Sequence, residues 1–231
     1  MKRYDPGFEW ALNLYPKIHN VHQIRVHNFG GSKGINQEIY DLVKPTDLSH
    51  DTNKTASDKE RADMITAIGK DRESLIDAFS LLMYNCSHDA NVLQGAFGQP
   101  KRILHADIFG PQFVVATLDY GKNTRCIWET GLEPRLSDWD EQFTVYTDKN
   151  RITVKFPFPY LKNAATEVFV YEMDGAASIE KKVVASFDEA FKREWRHFYD
   201  CVIEDREPIT NGEEGKRDIE FLIDLIKIAS N

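Results

Sequence analysis

With 231 residues, 42% of them hydrophobic and 29% charged, the chain has the composition of a folded globular protein rather than a disordered one. Twenty-nine Lys and Arg against 37 Asp and Glu give a formal charge of −8, which argues against nucleic acid or an anionic membrane surface as partner. No apolar run approaches the ~20 residues of a spanning helix, the opening MKRYDPGFEW lacks a signal-peptide core, and the scattered Cys86, Cys126 and Cys201 cannot all pair, so a reducing, cytoplasmic setting is expected.

The chain opens with a predicted helix over Pro6–Tyr15, because Asp5 is placed as N-cap and Pro6 at the first helical position. A strand follows at Val21–Phe29, with Ile24 and Val26 on one face and Arg25 and His27 on the other. Residues 30–72 read as a polar helical insertion, in which Ser57 followed by Glu60 resembles a capping box. A helix over Glu73–Leu93 is expected from the stripe Leu75, Phe79, Leu82, Cys86, Ala90 and Leu93.

From residue 101 the pattern changes to short β-rich runs. Strands are predicted at Arg102–Ile108, Gln112–Tyr120, Thr124–Thr130, Gln142–Thr147, Arg151–Phe156, Thr166–Tyr171 and Ser178–Val184. The tight turns between them require mostly antiparallel pairing. Two helices close the chain. The first has the box Ser186/Glu189 and the stripe Phe187, Phe191, Trp195, Phe198 and Val202. The second starts at Thr210/Glu213 and runs on Ile219, Leu222, Ile223 and Ile226. Helix, sheet and helices around one core make an α+β domain: a largely antiparallel open sheet with helices on one face, spanning residues 1–231.

Several chemistries lack their motifs. Gly30-Gly31-Ser32-Lys33-Gly34 has neither the spacing of a dinucleotide fingerprint nor that of a phosphate-binding loop, and reads as a turn. There is no C-x-x-C, H-E-x-x-H or G-x-S-x-G, and no histidine has ligand-type neighbours, so no metal site is expected. Among the seven histidines only His88 has a context that suggests chemistry.

That context is Asn85-Cys86-Ser87-His88-Asp89-Ala90-Asn91-Val92-Leu93-Gln94-Gly95-Ala96-Phe97-Gly98-Gln99-Pro100. It resembles the histidine-bearing helix and following turn of the glucose–fructose oxidoreductase/inositol dehydrogenase (Gfo/Idh/MocA) family. The run from His197 to Val202, followed by Arg206-Glu207-Pro208-Ile209-Thr210-Asn211-Gly212-Glu213, is similar to that family's penultimate helix, turn and last-helix start. Lys2-Arg3-Tyr4-Asp5-Pro6 resembles the stretch just after its last Rossmann strand.

The resemblance implies the C-terminal domain of a two-domain NAD(P)-dependent oxidoreductase acting on a sugar, cyclitol or related polyol. On this reading the chain begins at an internal methionine of the parent, without the N-terminal Rossmann domain. That domain would bind NAD or NADP and supply the lysine of a Glu-Lys-Pro motif. Here the nearest string is Val43-Lys44-Pro45. No cofactor is expected on this chain alone, and activity would need a Rossmann domain in trans.

The resemblance further implies His88 as catalytic residue, because removing a hydroxyl proton as hydride departs suits an imidazole. Tyr84 stands where the family often has an aspartate, which leaves the usual dyad without its carboxylate. Tyr84, Asn85, Lys2 and Arg3 are the candidate substrate-binding residues. The bland reading of His88 is a buried, hydrogen-bonded histidine packed on Tyr84. The competing function is a non-catalytic assembly or binding module. Because Phe113 and Val115, and likewise Phe169 and Tyr171, alternate with apolar neighbours, both sheet faces are expected to be apolar. A homodimer through the uncovered face, near Phe169 or Tyr171, is the resulting expectation.

Overall fold

β1 (Val21–Gly31) lies in the middle of an eight-stranded sheet although it comes first in the chain. The computed structural model describes residues 1–14, 20–31 and 50–229. The turn read at Gly30–Gly34 extends outside them, and Val43-Lys44-Pro45 lies wholly outside them. The strands run in the order β2 (Arg102–Phe109), β3 (Phe113–Gly121), β4 (Thr124–Glu133), β1, β5 (Trp139–Thr147), β6 (Asn150–Phe156), β7 (Glu167–Asp174), β8 (Ala177–Val184). Every neighbouring pair is antiparallel except β1 with β4. Tight turns force the antiparallel pairs, whereas β1 and β4 are far apart in sequence and joined through helices, which permits a parallel pair.

The register sets three rows of side chains across the covered face. Leu118, Cys126, Ile24, Val145, Ile152 and Val170 form one row, and Ala106, Ala116, Trp128, Val26, Phe143, Val154 and Val168 form the next. All are buried. The third row changes character: Val114, then the polar Thr130, Asn28 and Glu141, then Phe156. Polar groups in a buried row need partners, and they mark where chemistry can occur.

Helices cover this face. Phe8 of α1 (Pro6–Leu12) packs edge-on against Phe143 at 6.2 Å, and Phe221 of α6 (Gly212–Ile228) against Trp128 at 5.5 Å. Asp5 caps α1 as its sequence suggests, accepting from the Gly7 and Phe8 amides at 2.8 and 3.0 Å and from the Thr166 hydroxyl at 2.7 Å. Gly7 permits that approach, because a Cβ there would stand 2.7 Å from the Thr166 methyl.

The helix expected over Glu73–Leu93 is four segments: a 3-10 turn (Lys70–Leu75), α3 (Ile76–Leu81), a π turn (Leu82–Cys86) and α4 (Ser87–Phe97). Arg72, at φ −113° and ψ 15°, breaks the first turn, which periodicity alone does not reveal. Ser57 lies inside α2 (His50–Ile68) and caps nothing, since a cap must be non-helical. α5 (Ala190–Glu204) starts after Glu189, and Ser186 instead accepts from the Asp188 amide at 3.0 Å. The cap of α6 is Asn211, accepting from the Glu214 amide at 3.0 Å, one residue beyond the predicted Thr210.

Apolar surface is unevenly distributed over the domain. The open sheet face is a mosaic: His27 bridges Glu129 at 2.9 Å and Asp140 at 3.0 Å, Arg25 pairs with Glu129, and Arg151 and Lys182 lie over the rings of Tyr171 and Phe169. Conversely, the apolar stripe of α5 is not core; Trp195, Phe198 and Val202 all face solvent. No helix among the described residues is long and apolar enough to cross a membrane.

Candidate functional site

The polar row of the sheet is completed from above by the chain's first turn and by α4. Lys2, on a 3-10 turn (Lys2–Tyr4), is 4% exposed, and its ammonium lies 3.6 Å from Asp89 and in an ion pair with Glu141. The Asn28 amide donates to the other Asp89 oxygen at 2.6 Å, and the Trp139 indole N–H donates to Glu141 at 3.0 Å. Thr130 donates to the Asn28 carbonyl at 2.8 Å and contacts the Cys86 sulfur at 3.1 Å. Burial pushes the Lys2 amine down and the Asp89 carboxyl up, and each charge opposes the shift of the other. A cation between two carboxylates is retained in such a place because removing any one of the three strands the others without water.

His88, next to Asp89, turns toward a depression beside this cluster. The depression has two lobes, of about 40 and 210 Å³. The small lobe is lined by Met1, Lys2, Tyr84, Asn85, His88, Trp139, Pro159, Tyr160 and Phe191. The larger shares Met1, Lys2, Pro159, Tyr160 and Phe191 and adds the 156–164 segment and residues 188–190. Both lobes are smaller than the ~300 Å³ at which small-molecule sites usually begin, the small one far smaller. The small one has room for a water or a hydroxyl group.

Burial, the positive charge of Lys2 and that of the N-terminus push the His88 imidazole down to about 4. It is therefore neutral at pH 7, the form that can accept a proton. Among the described residues no hydrogen bond or ion pair engages its ring, so the reading of a hydrogen-bonded structural histidine finds no partner for it. Tyr84 and Asn85 belong to the π turn, whose wider i→i+5 winding shifts them relative to His88. Tyr84 shares the lobe with His88 but does not hydrogen-bond it. π turns recur at functional sites because they re-aim side chains without ending the helix.

Four of the five residues singled out in the sequence thus meet at one depression: His88, Tyr84, Asn85 and Lys2. Arg3 does not. Successive residues of a tight turn leave in different directions, and Arg3 pairs with Glu214 at 2.5 Å in a separate polar recess lined by Asn91, Gln94 and Asp218. Asp89, Glu141, Asn28, Trp139 and Phe191 escaped the sequence reading. Asp89 adjoins His88 and could have been suspected, whereas Glu141 and Asn28 come to the site through strand register, which no local pattern announces.

The starts of α1, α5 and α6 carry carboxylates at or beside the cap. A dinucleotide's pyrophosphate seeks free amides and positive potential, but α1 begins at Asp5, α5 at Asp188 and Glu189, and α6 with Glu213 and Glu214. These carboxylates would repel it.

No family model and no curated protein matches the sequence. Solved structures do match its fold. UDP-N-acetylglucosamine 3-dehydrogenase GnnA from Acidithiobacillus ferrooxidans aligns with TM-score 0.63 and 12% identity, over 99% of this chain and 59% of that one. KijD10, a 3-ketoreductase from Actinomadura kijaniata solved with NADP and TDP-benzene, aligns with TM-score 0.64 and 10% identity, over 98% and 60%. The dehydrogenase MviM from Clostridium difficile aligns with TM-score 0.59 and 16% identity, over 95% and 57%. The chain spans about three-fifths of the length of these structures. Shared topology over nearly its whole length gives this chain the fold of the C-terminal domain of Gfo/Idh/MocA-type oxidoreductases.

Proposed function

We propose that the chain is the substrate-side part of an NAD(P)-dependent oxidoreductase acting on a secondary alcohol of a sugar, cyclitol or related polyol. The observation that carries this reading is the neutral, unengaged imidazole of His88 at the wall of a depression that also holds the buried Lys2 ammonium. Oxidising a secondary alcohol removes a hydride from carbon and a proton from oxygen. His88 takes the hydroxyl proton, and Lys2, fixed by Asp89 and Glu141, stabilises negative charge gathering on that oxygen. As the alkoxide forms, its charge raises the imidazole's affinity for the proton, offsetting the depression that burial and Lys2 impose on the empty site. Tyr84, Asn85, Trp139 and Tyr160 offer hydroxyl, amide and aromatic surfaces of the kind that orient a polyol. The hydride acceptor is carried outside this chain, consistent with the acidic helix starts.

In protein joined with its cofactor domain, His88→Ala should lower NAD(P)-linked polyol oxidation by about 10²–10⁴-fold, the range for a general base. Followed as reduced-nicotinamide absorbance across a panel of polyols, activity that survives this change would remove His88 from the chemistry. Unchanged activity in Lys2→Met as well would return the fold to a binding role.

A further inference from the structure

The two lobes of the His88 depression differ in chemistry. The small one presents the directed polar groups of Tyr84, Asn85, His88 and Lys2, whereas the larger, of about 210 Å³, is walled by the rings of Phe156, Phe158, Tyr160 and Phe191. Phe156 and Phe158 are buried, and Tyr160 and Phe191 are exposed. Trp139 packs edge-on against Phe158 at 5.3 Å, and Phe158 against Tyr160 at 5.5 Å, so an aromatic series runs from the small lobe into the large one. Three carboxylates, of Asp5, Asp188 and Glu189, line the same lobe.

The charges around the lobes can be followed to their partners. Lys2 is matched twice, by Asp89 and Glu141. Asp188 accepts from Lys192 at 2.8 Å, and both Asp5 oxygens are taken by the Gly7 and Phe8 amides and the Thr166 hydroxyl. Lys162, the larger lobe's other cation, is exposed. Glu189 is half-buried; its side chain makes no cap bond to α5 and has no hydrogen bond or ion pair among the described residues. The depression therefore carries a surplus of carboxylate, and the unmatched one stands beside aromatic faces. A carboxylate next to an aromatic ring suits an organic ammonium, because the carboxylate and the ring quadrupole attract the same charge. The chain uses this pairing once already: the Lys2 ammonium lies between two carboxylates and 5.0 Å from the centre of the Phe156 ring.

We infer that the larger lobe is an ammonium subsite, so that the alcohol oxidised at His88 belongs to an amino sugar or aminocyclitol whose protonated amine sits between Glu189 and the rings of Tyr160 and Phe191. The alcohol half of this inference rests on the oxidoreductase reading above; the amine half rests on the lobe alone. The lobes share Lys2, Pro159, Tyr160 and Phe191, so one small molecule spans both. The hydroxyl enters the small lobe, and the ring that carries the amine occupies the larger. A neutral polyol leaves Glu189 unmatched as it displaces water from the lobe, whereas an ammonium satisfies it.

The test is calorimetric titration of the purified chain at pH 6.5, where the amines are protonated. The probes are glucosamine, 3-amino-3-deoxyglucose and 2-deoxystreptamine, each set against its N-acetylated form and against glucose or myo-inositol. At least one amine should bind about tenfold more tightly than its neutral counterparts. Glu189→Gln should bring that amine down to the affinity of the neutral forms, at the wild-type melting temperature, because the side chain makes no bond in the fold. Phe191→Leu, which keeps an apolar wall but removes a ring, should shrink the difference by about three- to fivefold. Equal affinity for amine and neutral forms, tighter binding of an N-acetylated form, no binding of any amine at millimolar concentration, or a preference that survives Glu189→Gln would each overturn the inference. In protein joined with its cofactor domain the two readings separate. Glu189-dependent amine binding without His88-dependent nicotinamide reduction keeps the subsite and rejects the oxidoreductase reading. His88-dependent oxidation of neutral polyols that Glu189→Gln does not alter does the reverse.

Discussion

At the scale of single residues, the site is governed by what burial does to charge. Lys2, Asp89 and Glu141 are held away from water and satisfy one another, with Asn28 and Trp139 completing the carboxylates. His88, beside them, is kept neutral by burial and by Lys2. A histidine with a lowered folded-state value binds fewer protons than the unfolded chain between that value and about 6.5. Its contribution is therefore fully present above pH 6.5 and is lost as pH falls toward 4. Urea denaturation at pH 7.5 and 4.5 should show wild type losing about 2–3 kcal/mol more than His88→Gln on acidification. Equal losses would mean that the imidazole is solvated and titrates normally. His88, Tyr84, Asn85 and Lys2 could be named from the sequence because each lies in a stretch that resembles the Gfo/Idh/MocA family. Glu141 and Asn28 could not, because they meet Lys2 only once β5 and β1 are paired in register.

At the scale of elements, local rules worked where local interactions decide. All eight strands follow their alternating apolar residues and turn chemistry. α1 starts where Asp5 and Pro6 say it should. Asp5→Ala removes two backbone bonds and the Thr166 partner, and should cost about 2 kcal/mol in thermal or urea unfolding, with Asp5→Asn restoring most of it. A loss below ~0.5 kcal/mol for Asp5→Ala would show that the cap is dispensable. Local rules failed where non-local packing decides. The π turn at Leu82–Cys86 leaves no mark on periodicity, since Phe79, Leu82, Cys86, Ala90 and Leu93 keep helical steps through it and all stay buried. The stripe of α5 was legible as apolar, but periodicity reports only that a face is apolar and not which neighbour covers it.

At the scale of the whole molecule, three observations converge: acidic helix starts, a depression with substrate-type groups on one side, and an uncovered apolar helix at its mouth. Under the proposed function, the proton acceptor lies on this chain and the hydride acceptor elsewhere. The open sheet face carries the Arg25–Glu129–His27–Asp140 network at its centre, beside the apolar residues of β3 and β7. Alternation of apolar residues in β3 and β7 does not describe β1 and β4 at the centre, and the centre sets the character of the face. The measurement that bears most directly on this division is calorimetric titration of the purified chain with NADPH and NADH. The account expects no heat of binding up to millimolar cofactor, because α1, α5 and α6 all begin with carboxylates where a pyrophosphate would need amides. Saturable binding in the micromolar range would contradict it, and would place the whole oxidoreductase on this single chain.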